Sequence, residues 1–147
     1  MVAGLGDMNF SLAFAAIGSA LGTGVAGMSA IGVWKKAFLQ NKTAPFIIIA
    51  FVGAPLTQTF YGLILRNKIQ AANFPPEVSN YVMQMIIGLV AGLAMGISAY
   101  MQGKAAASAC DALAETGKGF ANYMLVLGII ETVALFVMIL CMIALPV

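Results

Sequence analysis

The chain has 147 residues, 62% hydrophobic and 8% charged, with mean hydropathy +1.00 and a formal net charge of +2. A soluble domain of this length could not hide that much apolar surface, so an all-α integral membrane protein is expected. The charge is too small and too scattered for a nucleic-acid partner, and the absence of histidine removes the commonest acid/base residue and metal ligand.

A helix needs about 20 apolar residues to cross the hydrocarbon core of a bilayer. Four stretches meet that length, at about 9–34, 45–65, 80–110 and 120–145. The first basic residue is Lys35, so no positive segment precedes the first stretch and it is read as a membrane helix, not a leader. WKKAFLQNKTAP, RNKIQAANFPPEVSN and DALAETGKG separate the four, each carrying charges with Pro, Gly or Asn. Cys110 and Cys141 form no spaced motif and are read as buried or interfacial thiols.

The chain reads as two tandem helical hairpins, residues 1–70 and 71–147. SALGTGVAGMSA at 19–30 aligns with SAYMQGKAAASA at 98–109, offset 79, with six of twelve positions identical. The second helices align at an offset of about 73, which sets Gln58 opposite Glu131. Only the second hairpin therefore carries a central carboxylate. Lys35, Lys36, Lys42, Lys104 and Lys118 lie at the hairpin loops, against Arg66 and Lys68 in the middle loop. The excess places both hairpin loops in the cytoplasm and both termini outside.

Small residues form rows: Gly18, Gly22, Gly24 and Gly27 in the first helix, and Gly88, Gly92, Gly96 and Gly103 in the third. Such rows let helix backbones approach closely in lipid. They serve either packing within one chain or an assembly whose first and third helices crowd around a narrow ring.

Glu131 lies at the centre of LVLGIIETVALFVMIL, with no Lys, Arg or His in the stretch. A central acid costs roughly 2.5–3.5 kcal/mol on insertion scales and is a functional candidate by default. Hydrocarbon favours the neutral acid unless a cation or several donors stabilise the anion. The alternative is a structural acid that stays protonated. Thr57, Gln58 and Tyr61 stand near the centre of the second helix, Thr57 and Tyr61 about 40° apart and Gln58 about 60° further round. Pro55 lacks an N–H, which is expected to free the Phe51 carbonyl one turn back. Gln102 comes from the third helix. Carboxylate, hydroxyl, amide and carbonyl are hard oxygen donors suited to a hard cation. One negative charge suits a monovalent ion, and the extra oxygens favour sodium over a bare proton.

PLTQTFYG, YMQGKAAA and the central IIET are together similar to the proteolipid (K or c) rotor subunit of V-type ATPases, in its duplicated four-helix form. The resemblance spans essentially the whole chain. It implies a homo-oligomeric ring turning in lipid, first and third helices inside, second and fourth outside. It implies Na+ held by Thr57, Gln58, Gln102 and Glu131, a backbone carbonyl at Ala54 completing the shell, and Tyr61 hydrogen-bonded to the glutamate. H+ is the alternative cargo. Leu56 stands where glycine is often found, and is expected to add bulk beside the site. The implied partners are a stator subunit with a membrane arginine, and a central stalk docking at loops 35–44 and 111–119. The implied location is a bacterial plasma membrane. The chain carries no nucleotide motif, so it is expected to translocate ions while other subunits carry ATP chemistry.

Two other classes fit the sequence less well. A small proton-coupled transporter would line a cavity with aromatic residues, whereas Trp34, the one tryptophan, stands at a helix end. A structural membrane adaptor would not need polar residues gathered on one carboxylate.

Overall fold

A computed structural model describes residues 6–74 and 80–146. The described residues form four helical spans. The first is α1 (Phe10–Leu39). The second, Phe46–Ala71, is composite: a 3₁₀ turn Phe46–Ile48, α2 (Ile49–Gly53), a second 3₁₀ turn Ala54–Leu56, and α3 (Thr57–Ala71). The third and fourth are α4 (Asn80–Thr116) and α5 (Phe120–Ala144). All four are long and apolar enough to cross a membrane.

The helices run further than the apolar stretches. Trp34, Lys35 and Lys36 belong to α1, Arg66 and Lys68 to α3, and Lys104 and Asp111 to α4. WKKAFL and DALAET contain good helix formers and no proline or glycine, so the change to polar residues does not stop the helix. What stops it is local geometry. Asn41 and Gly117 adopt φ of 52° and 64°, left-handed values that end helices. The expected loop bounds 35–44 and 111–119 are therefore corrected. The true connections are residues 40–45 and 117–119, and Lys42 and Lys118 are the charged residues within them. At about 1.5 Å per residue, α4 is long enough to project well beyond a hydrocarbon core at the hairpin-loop end. The first residues, Val147 and residues 75–79 between the hairpins lie outside the described residues, and with them the expected positions of the two termini.

Asp7 organises the start of α1. Its carboxylate accepts the backbone N–H groups of Asn9 (3.0 Å) and Ser11 (2.8 Å) and the Ser11 hydroxyl. These are orphan donors that a helix start must satisfy. Arg66 Nε, on α3, donates to the Asn9 side chain at 2.7 Å.

The spans pack in two tiers. α1 lies along α4 in the most extensive pairing of the molecule, and α3 and α5 sit against that pair and each other. Glycine makes the α1–α4 contact possible. A Cβ on Gly18 would strike the backbone of Gly96, one on Gly103 the backbone of Gly22, and one on Gly92 would stand 2.6 Å from the Phe10 carbonyl. Gly62 lets α3 approach α1 in the same way, since a Cβ there would stand 2.6 Å from the Ser11 carbonyl oxygen. Much of the glycine row thus packs helices within one chain. Gly24 does not, since a Cβ there meets nothing within 4 Å.

A direct check compares Gly96→Ala with Gly24→Ala in detergent. The added methyl at 96 collides with the Phe14 carbonyl, so we expect a loss of about 1–3 kcal/mol in an SDS unfolding titration. Gly24→Ala should unfold with the parent.

Candidate functional site

Proline shapes the second span at the level of the site. With no N–H on Pro55, the Phe51 carbonyl lacks its usual partner four residues on. The expectation that this carbonyl is left free is corrected. The Ala54 N–H takes it through a tighter turn, and the helix passes through a 3₁₀ segment at Ala54–Leu56 before resuming at Thr57. The oxygen turned to the polar residues is that of Ala54, which accepts the Thr57 hydroxyl at 3.1 Å. Leu56 is 47% exposed. Its side chain, expected to add bulk beside the site, stands exposed at the surface of the molecule.

The six residues singled out from the sequence lie on one hydrogen-bonded chain. Tyr61 Oη donates to Glu131 Oε1 at 2.6 Å. Gln102 Nε2 lies 3.2 Å from Glu131 Oε2 and donates to the Leu127 carbonyl at 2.9 Å. Gln58 Nε2 donates to Gln102 Oε1 at 2.8 Å. The Gln58 amide oxygen lies 3.2 Å from Thr57 Oγ1, and Thr57 leads to Ala54. Three elements contribute: the second span, α4 and α5. The Leu127 carbonyl was not foreseen; its only mark in the sequence is a position one helical turn before Glu131.

Acceptors outnumber donors on one side of this chain. Thr57 has a single hydroxyl hydrogen and two acceptors in range, the Ala54 carbonyl and Gln58 Oε1, so it satisfies one at a time. Glu131 adds the carboxylate. These are hard oxygens of mixed type with one formal charge, a donor set that suits a hard monovalent cation.

Burial differs across the cluster. Gln58 and Gln102 are fully buried. Thr57, Tyr61 and Glu131 are half-buried, and the residues around them, Phe60, Ile129 and Val133, are exposed and apolar. The carboxyl thus stands at the surface of the four-helix unit beside exposed apolar residues. Buried amides behind it hold it by hydrogen bonds, which are strong where water is excluded.

Tyr61→Phe removes the shortest hydrogen bond to the carboxyl without changing the ring. We expect Glu131 to react with a hydrophobic carbodiimide on the order of ten-fold faster, by the usual worth of a hydrogen bond to a charged group. Rates are read by mass spectrometry of the labelled peptide.

Comparisons with known proteins find sequence similarity to ATP synthase subunits. Residues 85–144 match the family model that describes the C subunit of ATP synthase. The chain is also 32% identical, over 136 residues, to the K subunit of the A-type ATP synthase of Methanocaldococcus jannaschii. That alignment takes in 92% of this chain and 58% of the relative, so the chain spans a little over half of the relative's length. The segment matched by the family model takes in most of the second hairpin, with Gln102 and Glu131 inside it.

Proposed function

We propose that the chain is a rotor-ring subunit of an A/V-type ATP synthase, and that it carries sodium across the membrane on Glu131. The observation that carries this reading is the oxygen cluster of Ala54, Thr57, Gln58 and Glu131, backed by Gln102 and Tyr61. A proton needs one carboxyl and one acceptor, whereas a sodium ion needs several oxygens. The similarity to an archaeal K subunit and the match to the C-subunit family model support the rotor part of the reading.

The mechanism follows from the cost of charge in hydrocarbon. With sodium bound, the single negative charge of Glu131 is neutralised and the outer face of the protomer can turn through lipid. With the ion gone, the bare carboxylate is too costly to expose, and rotation into lipid is blocked. A stator protein presenting an arginine and two aqueous half-channels would take the ion on one side and supply another. Moving one charge through 100 mV is worth about 2.3 kcal/mol.

One carboxyl in four spans means one ion per protomer, half the ion count of a ring with an acid in every hairpin. Fewer ions per turn supply less energy for synthesis and sustain a steeper gradient in pumping, so we assign pumping as the favoured direction. Copies of the chain would close the ring, in the plasma membrane. The ends at residues 40–45 and 117–119 would face the cytoplasm and the central stalk. ATP chemistry belongs to other subunits.

The test is carbodiimide labelling of Glu131 with and without sodium across pH, since the reagent attacks the protonated carboxyl. Sodium should slow labelling and move its pH profile toward lower pH, as the ion competes with the proton. Labelling that ignores sodium at every concentration assigns the ring to protons. Glu131→Gln should abolish both labelling and ion transport in reconstituted vesicles while the protein still inserts and assembles.

A further inference from the structure

Two stripes of the four-helix unit are exposed although they run along its most closely packed helices. On α4 the stripe passes through Ile97, Met101 and Ser108. On α1 it passes through Ile17, Ala20, Gly24 and Met28. Each set lies on one face at helical spacing. Gly18 and Gly22 bring α1 against α4, but Gly24 has no such use within the chain, since a Cβ there meets nothing within 4 Å.

The internal repeat says what fits against them. α1 and α4 are the same helix of the repeat, at an offset of 79, and within the chain they pack on each other. A Cβ on Gly18 would strike Gly96, one on Gly22 would strike the Ala99 carbonyl, and one on Gly103 would strike Gly22. Ser29 Oγ donates to the Ala107 carbonyl at 3.0 Å. Taking the step from first to second hairpin once more sets the second hairpin against the first hairpin of another copy. Each contact then carries over with 79 added on one side and subtracted on the other. Gly18 with Gly96 becomes Ile97 with Ile17 of the next copy. Gly22 with Ala99 and Gly103 becomes Met101 with Ala20 and Gly24. Ser29 with Ala107 becomes Ser108 with Met28.

Exposure is an independent check, because the mapping makes no use of it. Every residue that the mapping assigns to the contact between copies is exposed in the chain. The glycines and the alanine from which they were mapped are buried. Size fits as well: the long side chain of Met101 meets Ala20 and Gly24, and small residues at such a point let helices approach in lipid. The contact joins two unlike faces, and a contact of that kind closes into a ring when its rotation divides a full turn.

We infer that these stripes are the two halves of one joint between copies of this chain, with Met101 of one copy seated on Ala20 and Gly24 of the next. This rests on the rotor reading for the presence of neighbouring copies, and adds the residues at which they meet. It does not depend on which cation is carried. The joint is a looser form of the α1–α4 pairing inside the chain, because Ile97, Met101 and Ile17 stand where that pairing has Gly18, Gly22 and Gly96. Gly24 thereby serves assembly, whereas Gly18, Gly22, Gly96 and Gly103 serve the fold of the single chain.

The experiment uses the full-length chain in membranes, carrying Ala20→Cys together with Met101→Cys and treated with a short bis-maleimide. The pair should give covalent dimers and higher multimers on a denaturing gel, above the level that Cys110 and Cys141 give in the parent. Each single variant should stay at the parent's level, because the joint brings unlike faces together. Should the first pair fail to insert, Ile17→Cys with Ile97→Cys reads the same joint. Gly24→Leu should insert, and its assembled fraction in detergent, read by native mass spectrometry, should fall on the order of ten-fold as the joint is overpacked. A preparation that is oligomeric yet gives no ladder overturns the inference and leaves the rotor reading standing, the stripes then facing lipid. A parent preparation with no oligomer overturns both. A ladder from a single variant overturns the inference, as does a Gly24→Leu chain that assembles like the parent.

Discussion

The backbones of α1 and α4 touch at Gly18, Gly22, Gly96 and Gly103, and a helix pair that close leaves no room between its axes for side chains. At these four glycines polar side chains must go elsewhere. In lipid there is no hydrophobic force between helices, so close packing and hydrogen bonds have to hold the bundle together. The α1–α4 contact supplies the packing and acts as a stiff wall. The composite second span and α5 lean on that wall, and the polar side chains of the molecule's centre gather where they meet it. A methyl group at one of these glycines would move the wall, and the carboxyl with it.

On that support, the cluster is graded from rigid to accessible. Gln58 and Gln102, fully buried, bond each other and then backbone or carboxylate. Tyr61 and Glu131 stand half-buried at the outer side. The amides thus lie inward and the carboxyl outward. Pro55 contributes from the backbone: it forces a tight turn at Ala54–Leu56, and the Ala54 carbonyl within that turn meets the Thr57 hydroxyl. A regular helix at that point would present its oxygens along the axis instead.

The alignment of residues 19–30 with 98–109 pairs positions that differ in their surroundings. Gln58 corresponds to Glu131, and Ser19 to Ser98. In the second hairpin the serine binds a carbonyl beside the acid; in the first its hydroxyl is unpartnered. The first hairpin keeps the small residues that pack the wall, and lends Thr57, Gln58 and Tyr61 to the carboxyl of the second. One cluster is thus built from residues of both hairpins.

Much of this was legible in the order of residues. Hydropathy and length alone mark four spans, because the bilayer demands about 20 apolar residues of any helix that crosses it. The isolation of Glu131 marks the site, because a lone acid in hydrocarbon is too costly to carry without use. Helical spacing brings Thr57 and Tyr61 to neighbouring directions, Gln58 and Gln102 are amides within apolar spans, and similarity of PLTQTFYG and YMQGKAAA to a proteolipid pattern added the Ala54 carbonyl. Three things waited for the tertiary structure. Helix ends were set by Asn41 and Gly117 in left-handed conformations and not by the change to charged residues, since water-exposed helix is stable where hydropathy has already fallen. The Phe51 carbonyl, expected to be free, proved to be taken by the Ala54 N–H, because the backbone answered the missing N–H of Pro55 by tightening. The bonds of Ser98 to the Ile130 carbonyl and of Gln102 to the Leu127 carbonyl gave no sign in the sequence, because they depend on how α5 is turned against α4, and that rotation is decided only when the helices pack.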